Sequence, residues 1–279
     1  MEALLFKVLG PFEVASVDGT VRILNTPKIC QVLALLAVRA NTIVSADSIV
    51  EELWADTPPR SALTTLQTYI YHSRKLFADI GLASGGHSLL VTRAPGYMLE
   101  VPPTQVDAGK FERLLKEGKA ELAKNRPDNA SRLLRSAIDL WRGSALANIS
   151  AGDILTGYVA HIEERRIQAL ELMVEAEKQL GRHRELIPEL RALVSDYPLN
   201  EWFHGQLIMA LSHAGRRAEA LQEYQRLRSI LKEELGLDPA PELQRIHHEV
   251  LNPASARHWP ASGHAGGRVM RRHARPGVR

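Results

Sequence analysis

The 279-residue sequence predicts a mainly α-helical protein built of two domains in series, a mixed α and β domain followed by an all-helical one. Strand-like segments occur only in the first hundred residues, where three amphipathic helical stretches alternate with them. Beyond Val106 one helical stretch follows another, and Pro102 and Pro103 mark the linker. We therefore expect domains over residues 1–101 and 106–251, and a disordered basic tail over 252–279.

The first domain begins with strands and continues with two helices. Apolar runs broken by Gly-Pro and Asp-Gly pairs predict three short strands over residues 3–25. A helix then starts at Pro27, with an inward stripe of Ile29, Val32, Leu33, Leu36 and Ala37. Ser45 is predicted to cap a second helix, whose inward residues are Ile49, Val50, Leu53 and Trp54.

A third helix follows Pro58 and Pro59, and its two faces differ in chemistry. One face has the spacing of a buried stripe: Leu63, Leu66, Ile70 and Phe77. The opposite face has no acid and carries groups suited to phosphates or base edges: Thr64, Thr65, Gln67, Thr68, Tyr71, His72, Arg74 and Lys75. A polar helix face is most often simply solvated, so this face needs support from its surroundings.

That support comes from a β-hairpin directly after the helix. Its tight turn is predicted at Ala94-Pro95-Gly96, where the glycine permits a positive φ. An N-terminal sheet, three helices and a terminal hairpin in about 100 residues are the elements of a winged helix-turn-helix, which reads the major groove of double-stranded DNA. We interpret Tyr97 as a packing residue.

The second domain contains an internal repeat. Gly181 and Gly215 begin similar segments 34 residues apart, the period of tetratricopeptide helix pairs, and each is predicted to lie between two helices. Such stacks form concave surfaces that hold peptides or neighbouring domains. We favour packing against the first domain over a small-molecule sensor, and interpret the large aromatic residues as core: Trp141, Trp202 and Phe203.

Charge is unevenly distributed along the chain. The net charge is +3, but residues 253–279 hold six arginines and no acid, so +3 minus +6 leaves −3 for the rest. Residues 1–105 contain eight basic and nine acidic side chains, which is modest for a DNA-binding domain. A DNA surface must therefore be a local patch. The tail either adds non-specific DNA affinity or has no function.

The sequence predicts no enzyme, no cofactor, no metal site and no membrane partner. Adjacent glutamates on a helix point about 100° apart, so the Glu163-Glu164 and Glu233-Glu234 pairs do not converge. His247-His248 lacks companion ligands, and no nucleophile, base and orienting group can be assembled. The single Cys30 is predicted to be a buried, inert thiol. Without a leader or a long apolar run, the protein is expected in the cytoplasm.

Several phrases, in order, resemble the Streptomyces antibiotic regulatory protein (SARP) family of transcription activators. They include LGPFEV, LWADTPPRSALTTLQTYIYHSRKLF, RAPGYML, VDAGKFERLLKEGKA and GRRAEALQEYQRLRSILKEELGLDPAPELQRIHHEVL. The resemblance covers residues 1–251 and implies an OmpR-like winged helix-turn-helix followed by a tetratricopeptide-like bacterial transcriptional activation domain. A phosphate-binding GxxxxGK[ST] loop and a receiver domain are both lacking, as in the small, stand-alone members.

The resemblance also implies a function. Such a protein is expected to activate an antibiotic biosynthetic cluster by binding direct repeats near the promoter −35 region, with two protomers in tandem. It would recruit RNA polymerase through the σ factor and the α C-terminal domain, at the nucleoid. The expected DNA contacts are Arg60, Ser61, Thr64, Thr65, Thr68, Tyr71, His72, Arg74 and Lys75, with Arg93 at the wing. A protein-interaction scaffold and a repressor are the alternatives.

Overall fold

A computed structural model describes residues 5–16, 18–22, 26–82 and 88–252. Contacts divide the chain into two compact units, Met1–Arg182 and His183–Arg279. The expected strand residues Leu4 and Ile23, and the predicted disordered tail from residue 253 onward, lie outside the described residues. The predicted boundary between residues 101 and 106 falls inside the first unit, and the domain division stays a prediction.

The first unit contains two small antiparallel sheets. The N-terminal sheet has the order β1-β2-β3, with strands Phe6–Lys7, Glu13–Ala15 and Val21–Arg22. The second sheet has the order β4-β6-β5, with strands Val44–Ser45, Gly96–Leu99 and Leu90–Arg93. Strands β5 and β6 form the predicted hairpin wing, while β4 was expected only as an extended link. Because Val44 pairs with Tyr97, the wing is anchored to the chain between two helices.

Three helices complete the winged helix: α1 (Pro27–Val38), α2 (Ala46–Trp54) and α3 (Ala62–Asp79). Helix α1 is buried on every side from Cys30 to Ala37, so it forms the centre of this region. The Ser45 hydroxyl accepts the Ser48 N–H at 3.0 Å, which confirms the predicted cap of α2. The inner side of α3 is formed by Ala62, Leu66, Ile70, Ser73 and Phe77.

The prediction that Leu63 belongs to the buried stripe of α3 was wrong. Its side chain is 55% exposed, whereas Ala62 is buried. Both residues are apolar, and the helical phase set by Leu66, Ile70 and Phe77 turns Ala62 inward in the first turn. Leu63 is therefore directed away from the core.

The rest of the first unit is helical. After a 3₁₀ turn at Pro103–Gln105 come α4 (Asp107–Ala123), α5 (Pro127–Ile138) and α6 (Asp153–Gln179). Gly118 of α4 lies against Leu134 of α5 so closely that a Cβ would come within 2.7 Å of the leucine Cγ. The glycine thus allows the two helices their close approach.

A buried glutamate joins the winged helix to the helical part of this unit. Glu52 of α2 is 3% exposed and accepts hydrogen bonds from the backbone N–H groups of Gly152 at 2.6 Å and Ile154 at 2.8 Å. A third, longer bond comes from Leu155 at 3.3 Å. These groups begin α6, so Glu52 serves as the N-terminal cap of a helix 100 residues further along the chain.

A second carboxylate joins the N-terminal sheet to α4. Asp107 accepts the backbone N–H of Val8 at 2.8 Å and that of Leu9 at 3.1 Å. Arg142 adds to this junction, because its backbone N–H donates to the Leu9 carbonyl at 2.8 Å and its guanidinium to the Pro11 carbonyl at 3.0 Å. These bonds explain why the start of the helical region belongs to the same compact unit as the sheet.

The second unit contains α7 (His183–Asp196), α8 (Glu201–His213), α9 (Arg217–Leu235) and α10 (Pro241–Leu251). Gly215 lies between α8 and α9 with φ of +77°, and Gly181 lies between α6 and α7 with φ of +74°. Both glycines thus lie between two helices, as predicted from the repeat, and the left-handed conformation explains the residue type.

A third turn of the same kind was missed. Asn125 lies between α4 and α5 with φ of +55°, and the next N–H, that of Arg126, donates to the Glu121 carbonyl at 3.0 Å. The N–H of Arg182 and that of Arg216 bond in the same way to the carbonyl five residues earlier. Asparagine stands in place of glycine here, and the spacing to Gly181 is not 34, so the repeat pattern gave no signal.

Candidate nucleic-acid interface

Helix α3 is fixed by contacts to three neighbouring elements. The Phe77 ring meets the Phe6 ring of β1 edge to face at 5.7 Å, and Tyr69 stacks on Trp54 of α2 at 6.3 Å. On the wing side, Arg74 donates from Nε to the Leu90 carbonyl at 2.9 Å and from Nη2 to Thr92 Oγ1 at 2.8 Å. These contacts define which side of α3 stays open.

The outer face of α3 is the open side, and we define it by six exposed residues: Thr64, Gln67, Thr68, Tyr71, His72 and Lys75. Thr68 donates only to the Thr64 carbonyl of its own helix, at 3.0 Å, and the Tyr71 and His72 rings contact each other. Among the residues that the structure describes, no hydrogen bond or ion pair joins this face to another element. Apart from the Thr68 donor, the donors and acceptors of this face are open to a ligand as far as the described residues are concerned.

The start of α3 extends this face. Arg60 and Ser61 are exposed, while Thr65 is half-buried with its hydroxyl 3.4 Å from that of Ser61. The first turn of α3 has no acid, and no side chain caps it. The Ala62 N–H donates to the Pro59 carbonyl at 2.9 Å, but the N–H groups of Leu63 and Thr64 and the positive end of the helix dipole favour an anion such as a DNA phosphate.

Arg74 and Lys75 are neighbours in sequence but have different surroundings. Arg74 is half-buried and bonds to strand β5, so it lies where α3 meets the wing. Lys75 is exposed on the outer face and has no ion pair with any described residue. The pattern of basic residues predicted both as DNA contacts without separating the two environments.

The wing places Arg93 at the end of β5. Its side chain is 59% exposed, and its Nη2 lies 3.3 Å from Glu100 Oε1, in a pair open to solvent. The reason given for Gly96 was wrong, because Gly96 does not have a positive φ. It lies in β6, where a Cβ would come 1.9 Å from the Val44 carbonyl oxygen, so the close approach of β4 requires the glycine.

Comparison with known proteins decides the family. Residues 106–251 match the family described as the bacterial transcriptional activator domain, and residues 20–99 match that described as transcriptional regulatory protein, C terminal. The regulatory protein DnrI of Streptomyces peucetius is 41% identical over 258 residues, which span 91% of this chain and 94% of that protein. The chain belongs to the Streptomyces antibiotic regulatory protein family.

Two further relatives agree with this assignment. The transcriptional regulator RedD of Streptomyces coelicolor is 35% identical over 246 residues, covering 88% of this chain and 69% of that protein. A solved structure of Mycobacterium tuberculosis EmbR, in complex with a low affinity phosphopeptide, is 32% identical with a TM-score of 0.82. The match covers 91% of this chain and 66% of the EmbR chain, so EmbR contains additional sequence.

Membership of the SARP family confirms the predicted fold class, the OmpR-like winged helix and tetratricopeptide-like helices. The protein is a transcriptional activator and not an enzyme. Within the described ranges, no helix is long and apolar enough to cross a membrane, and no cluster of histidine, cysteine and acidic side chains could hold a metal ion. Cys30 is buried, and burial raises the pKa of its thiol, in agreement with an inert role.

Five of the ten predicted DNA contacts lie on the outer face of α3: Thr64, Thr68, Tyr71, His72 and Lys75. Four lie beside this face: Arg60 and Ser61 at the helix start, the half-buried Thr65, and Arg74 on the side of the wing. Arg93 lies apart on the wing. Two exposed residues of α3 were not among the contacts expected from the sequence. Gln67 was placed on the polar face but was not counted among the DNA contacts, and Leu63 was assigned to the core. The apolar Ala62 next to Leu63 was a signal that Ala62 could take the buried position instead.

Proposed function

We propose that this SARP-family protein activates a secondary-metabolite cluster by binding direct DNA repeats near the promoter −35 region and recruiting RNA polymerase. The observation that carries the proposal is the outer face of α3: six exposed polar or aromatic side chains without partners among the described residues of other elements, next to a wing. A helix of this kind in a winged fold enters the major groove. Family membership supports the activator role.

The expected contacts divide by chemistry. Thr64, Thr68 and Tyr71 can reach base edges or phosphate oxygens, while Lys75 and Arg60 supply positive charge to the DNA backbone. Arg93 is expected at the adjacent minor groove or a phosphate. Each phosphate neutralised by a cation adds about 0.9 to the slope of log K against log salt.

The regions have different proposed tasks. Residues 1–101 read DNA, and residues 106–251 contact the σ factor and the α C-terminal domain of the polymerase. Direct repeats require a head-to-tail arrangement of two protomers, which places both on one side of the duplex when the repeats are about one helical turn apart. The protein then acts in the cytoplasm, at the nucleoid.

Selection from a random-sequence duplex library tests the proposal first. The full chain is expected to enrich a direct repeat, and fluorescence anisotropy on that duplex should give far tighter binding than on a scrambled one. Lengthening the spacer by about 5 base pairs rotates one repeat to the opposite side and should weaken binding, whereas about 10 base pairs should restore it. Equal, weak binding to both duplexes would favour the scaffold alternative.

Transcription in vitro then tests activation. With purified polymerase holoenzyme and a template bearing the selected repeat over the −35 region, the protein should raise transcript yield. Lys75→Ala should lower this gain through weaker DNA binding, while Lys119→Ala, an exposed lysine of α4, serves as the matched control for DNA affinity. A fall in transcript yield on adding the wild-type protein would identify a repressor.

A further inference from the structure

An exposed leucine lies on the helix proposed to enter the major groove. In the described part of the winged helix, three large aliphatic side chains are exposed: Val21 at 37%, Ile43 at 46% and Leu63 at 55%. Leu63 is the most exposed of the three and belongs to α3, whose most exposed aromatic residue is Tyr71 at 63%. In the free protein, this leucine leaves most of its apolar surface in water.

The position of Leu63 relates it to the outer face of α3. Leu63, Gln67 and Tyr71 are four residues apart, so their exposed side chains form one row along the helix, with neighbouring Cβ atoms about 6 Å apart. Helical side chains lean toward the N-terminus, which directs Leu63 to the end of α3 where Arg60 and Ser61 lie. Leu63 thus begins the row that runs along the open side of the helix.

The chemistry of this row matches an A·T-containing sequence. The thymine 5-methyl is the apolar group that base edges present in the major groove, and a glutamine amide pairs with adenine N6 and N7. Stacked base pairs lie about 3.4 Å apart, so adjacent members of the row can reach neighbouring base pairs. Leu63 has the correct chemistry for the methyl group, and Gln67 for the adenine.

We propose that Leu63 is a specificity-determining residue that packs on the 5-methyl group of one thymine in each DNA repeat, beside the base pair contacted by Gln67. The inference rests on the proposed function, because it requires α3 to enter the major groove. It goes further by naming a base and the atom group that is recognised. It also gives a role to an exposed apolar side chain that the fold itself does not use.

The test removes single methyl groups from the DNA. Full-length protein is titrated by fluorescence anisotropy onto fluorescein-labelled duplexes carrying the library-selected repeat, with each thymine in turn replaced by deoxyuridine in both repeats. Loss of one buried methyl should weaken the binding of each protomer about fourfold, and only one thymine position of the repeat should show this loss. Leu63→Ala should bind the parent duplex more weakly and show no further loss at that position. Ile43→Ala, an exposed aliphatic residue outside α3, should keep the wild-type sensitivity.

The wild-type scan is decisive even if a variant folds poorly, and circular dichroism with Leu63→Ser as a second substitution checks the variants. If no single thymine methyl affects wild-type binding, or if Leu63→Ala retains the full sensitivity, the inference is overturned while the proposed function stands. If the library yields no preferred sequence, the proposed function fails and the inference with it.

Discussion

The outer face of α3 and the junction between the winged helix and the helical region use polar side chains in opposite ways. At the junction, Glu52 and Asp107 are almost fully buried, and each accepts hydrogen bonds from backbone N–H groups about a hundred residues distant in sequence. On the outer face, described side chains bond to nothing beyond their own helix. One set of polar groups is satisfied internally, and the other is open to an external partner.

This difference separates groups that contribute to the free energy of unfolding from groups that contribute to the free energy of DNA binding. A buried carboxylate must be hydrogen-bonded, so removing it leaves desolvated donors without an acceptor and lowers the free energy of unfolding. An exposed group without a partner contributes little to folding, and its removal affects only the complex that it helps to form. Substitutions at the junction should therefore change stability, and those on the outer face should change DNA affinity.

The largest effect is expected for Glu52→Ala. The substitution leaves the N–H groups of Gly152, Ile154 and Leu155 at the start of α6 without their acceptor. We expect the free energy of unfolding to fall by about 3 kcal/mol, measured by urea denaturation followed by circular dichroism.

The neighbouring Glu51→Ala is the matched control, because Glu51 is an exposed residue of the same helix. Its effect should stay within about 0.5 kcal/mol. If both variants lost the same free energy of unfolding, the change would come from helix α2 itself and not from the cap on α6. The contrast between the junction and the outer face would then be contradicted.

Arg74→Ala and Lys75→Ala test the same difference between a bonded and an open polar group at two adjacent residues. Arg74→Ala removes two hydrogen bonds to β5 and should lower the free energy of unfolding by about 1.5 kcal/mol. Hydrogen bonds from a charged group are stronger than neutral ones, but the partial exposure of the Arg74 side chain weakens them. DNA binding should weaken as well, because the wing is no longer tied to α3.

Lys75→Ala should leave stability unchanged and reduce the slope of log K against log salt by about 0.9, as expected for one lost phosphate contact. Thermal denaturation and anisotropy at several salt concentrations measure both quantities on the same samples. A stability loss for Lys75→Ala as large as that for Arg74→Ala would contradict the assignment of Lys75 to the open face.

Local chemistry made much of the fold predictable from the sequence. The Ser45 cap and the proline that opens α1 depend on residues a few positions apart, and the glycine turns at Gly181 and Gly215 were indicated by the 34-residue repeat. The alternation of strands and helices was likewise sufficient to predict the winged helix. These features follow from local chemistry or from a pattern visible along the sequence, and they were confirmed.

Contacts between distant segments could not be predicted in this way. Nothing near Glu52 or Asp107 in sequence indicates that each meets backbone groups about a hundred residues away, and the need for glycine at Gly96 arises from Val44, on another strand. Leu63 was misassigned because Ala62 and Leu63 are both apolar and only the packing of α3 sets its phase. The candidate site was therefore predicted as a face, while its edges required the structure.

The smallest expected effect is a change of stability at acid pH, and it arises from a buried pair of side chains in the second unit. Glu223 Oε1 lies 2.8 Å from His204 Nδ1, and His204 Nε2 lies 3.1 Å from the Pro198 carbonyl oxygen. The hydrogen bond from His204 lowers the pKa of the Glu223 carboxyl, and burial opposes this only in part. The ionised carboxylate is therefore stabilised by folding.

The direction of the pH dependence follows from this lowered pKa. The contribution of Glu223 is fully present above the pKa of an unfolded glutamate, about 4.3, and is lost as the pH falls through the lower pKa of the folded state. Urea denaturation at pH 7 should show Glu223→Gln less stable than the wild type by about 1 kcal/mol. The gap should close below pH 4, whereas Lys75→Ala should follow the wild-type curve throughout. A gap that persists at pH 3 would mean that the difference arises from the glutamine NH2 group, which donates where the carboxylate accepts, rather than from the charge of Glu223.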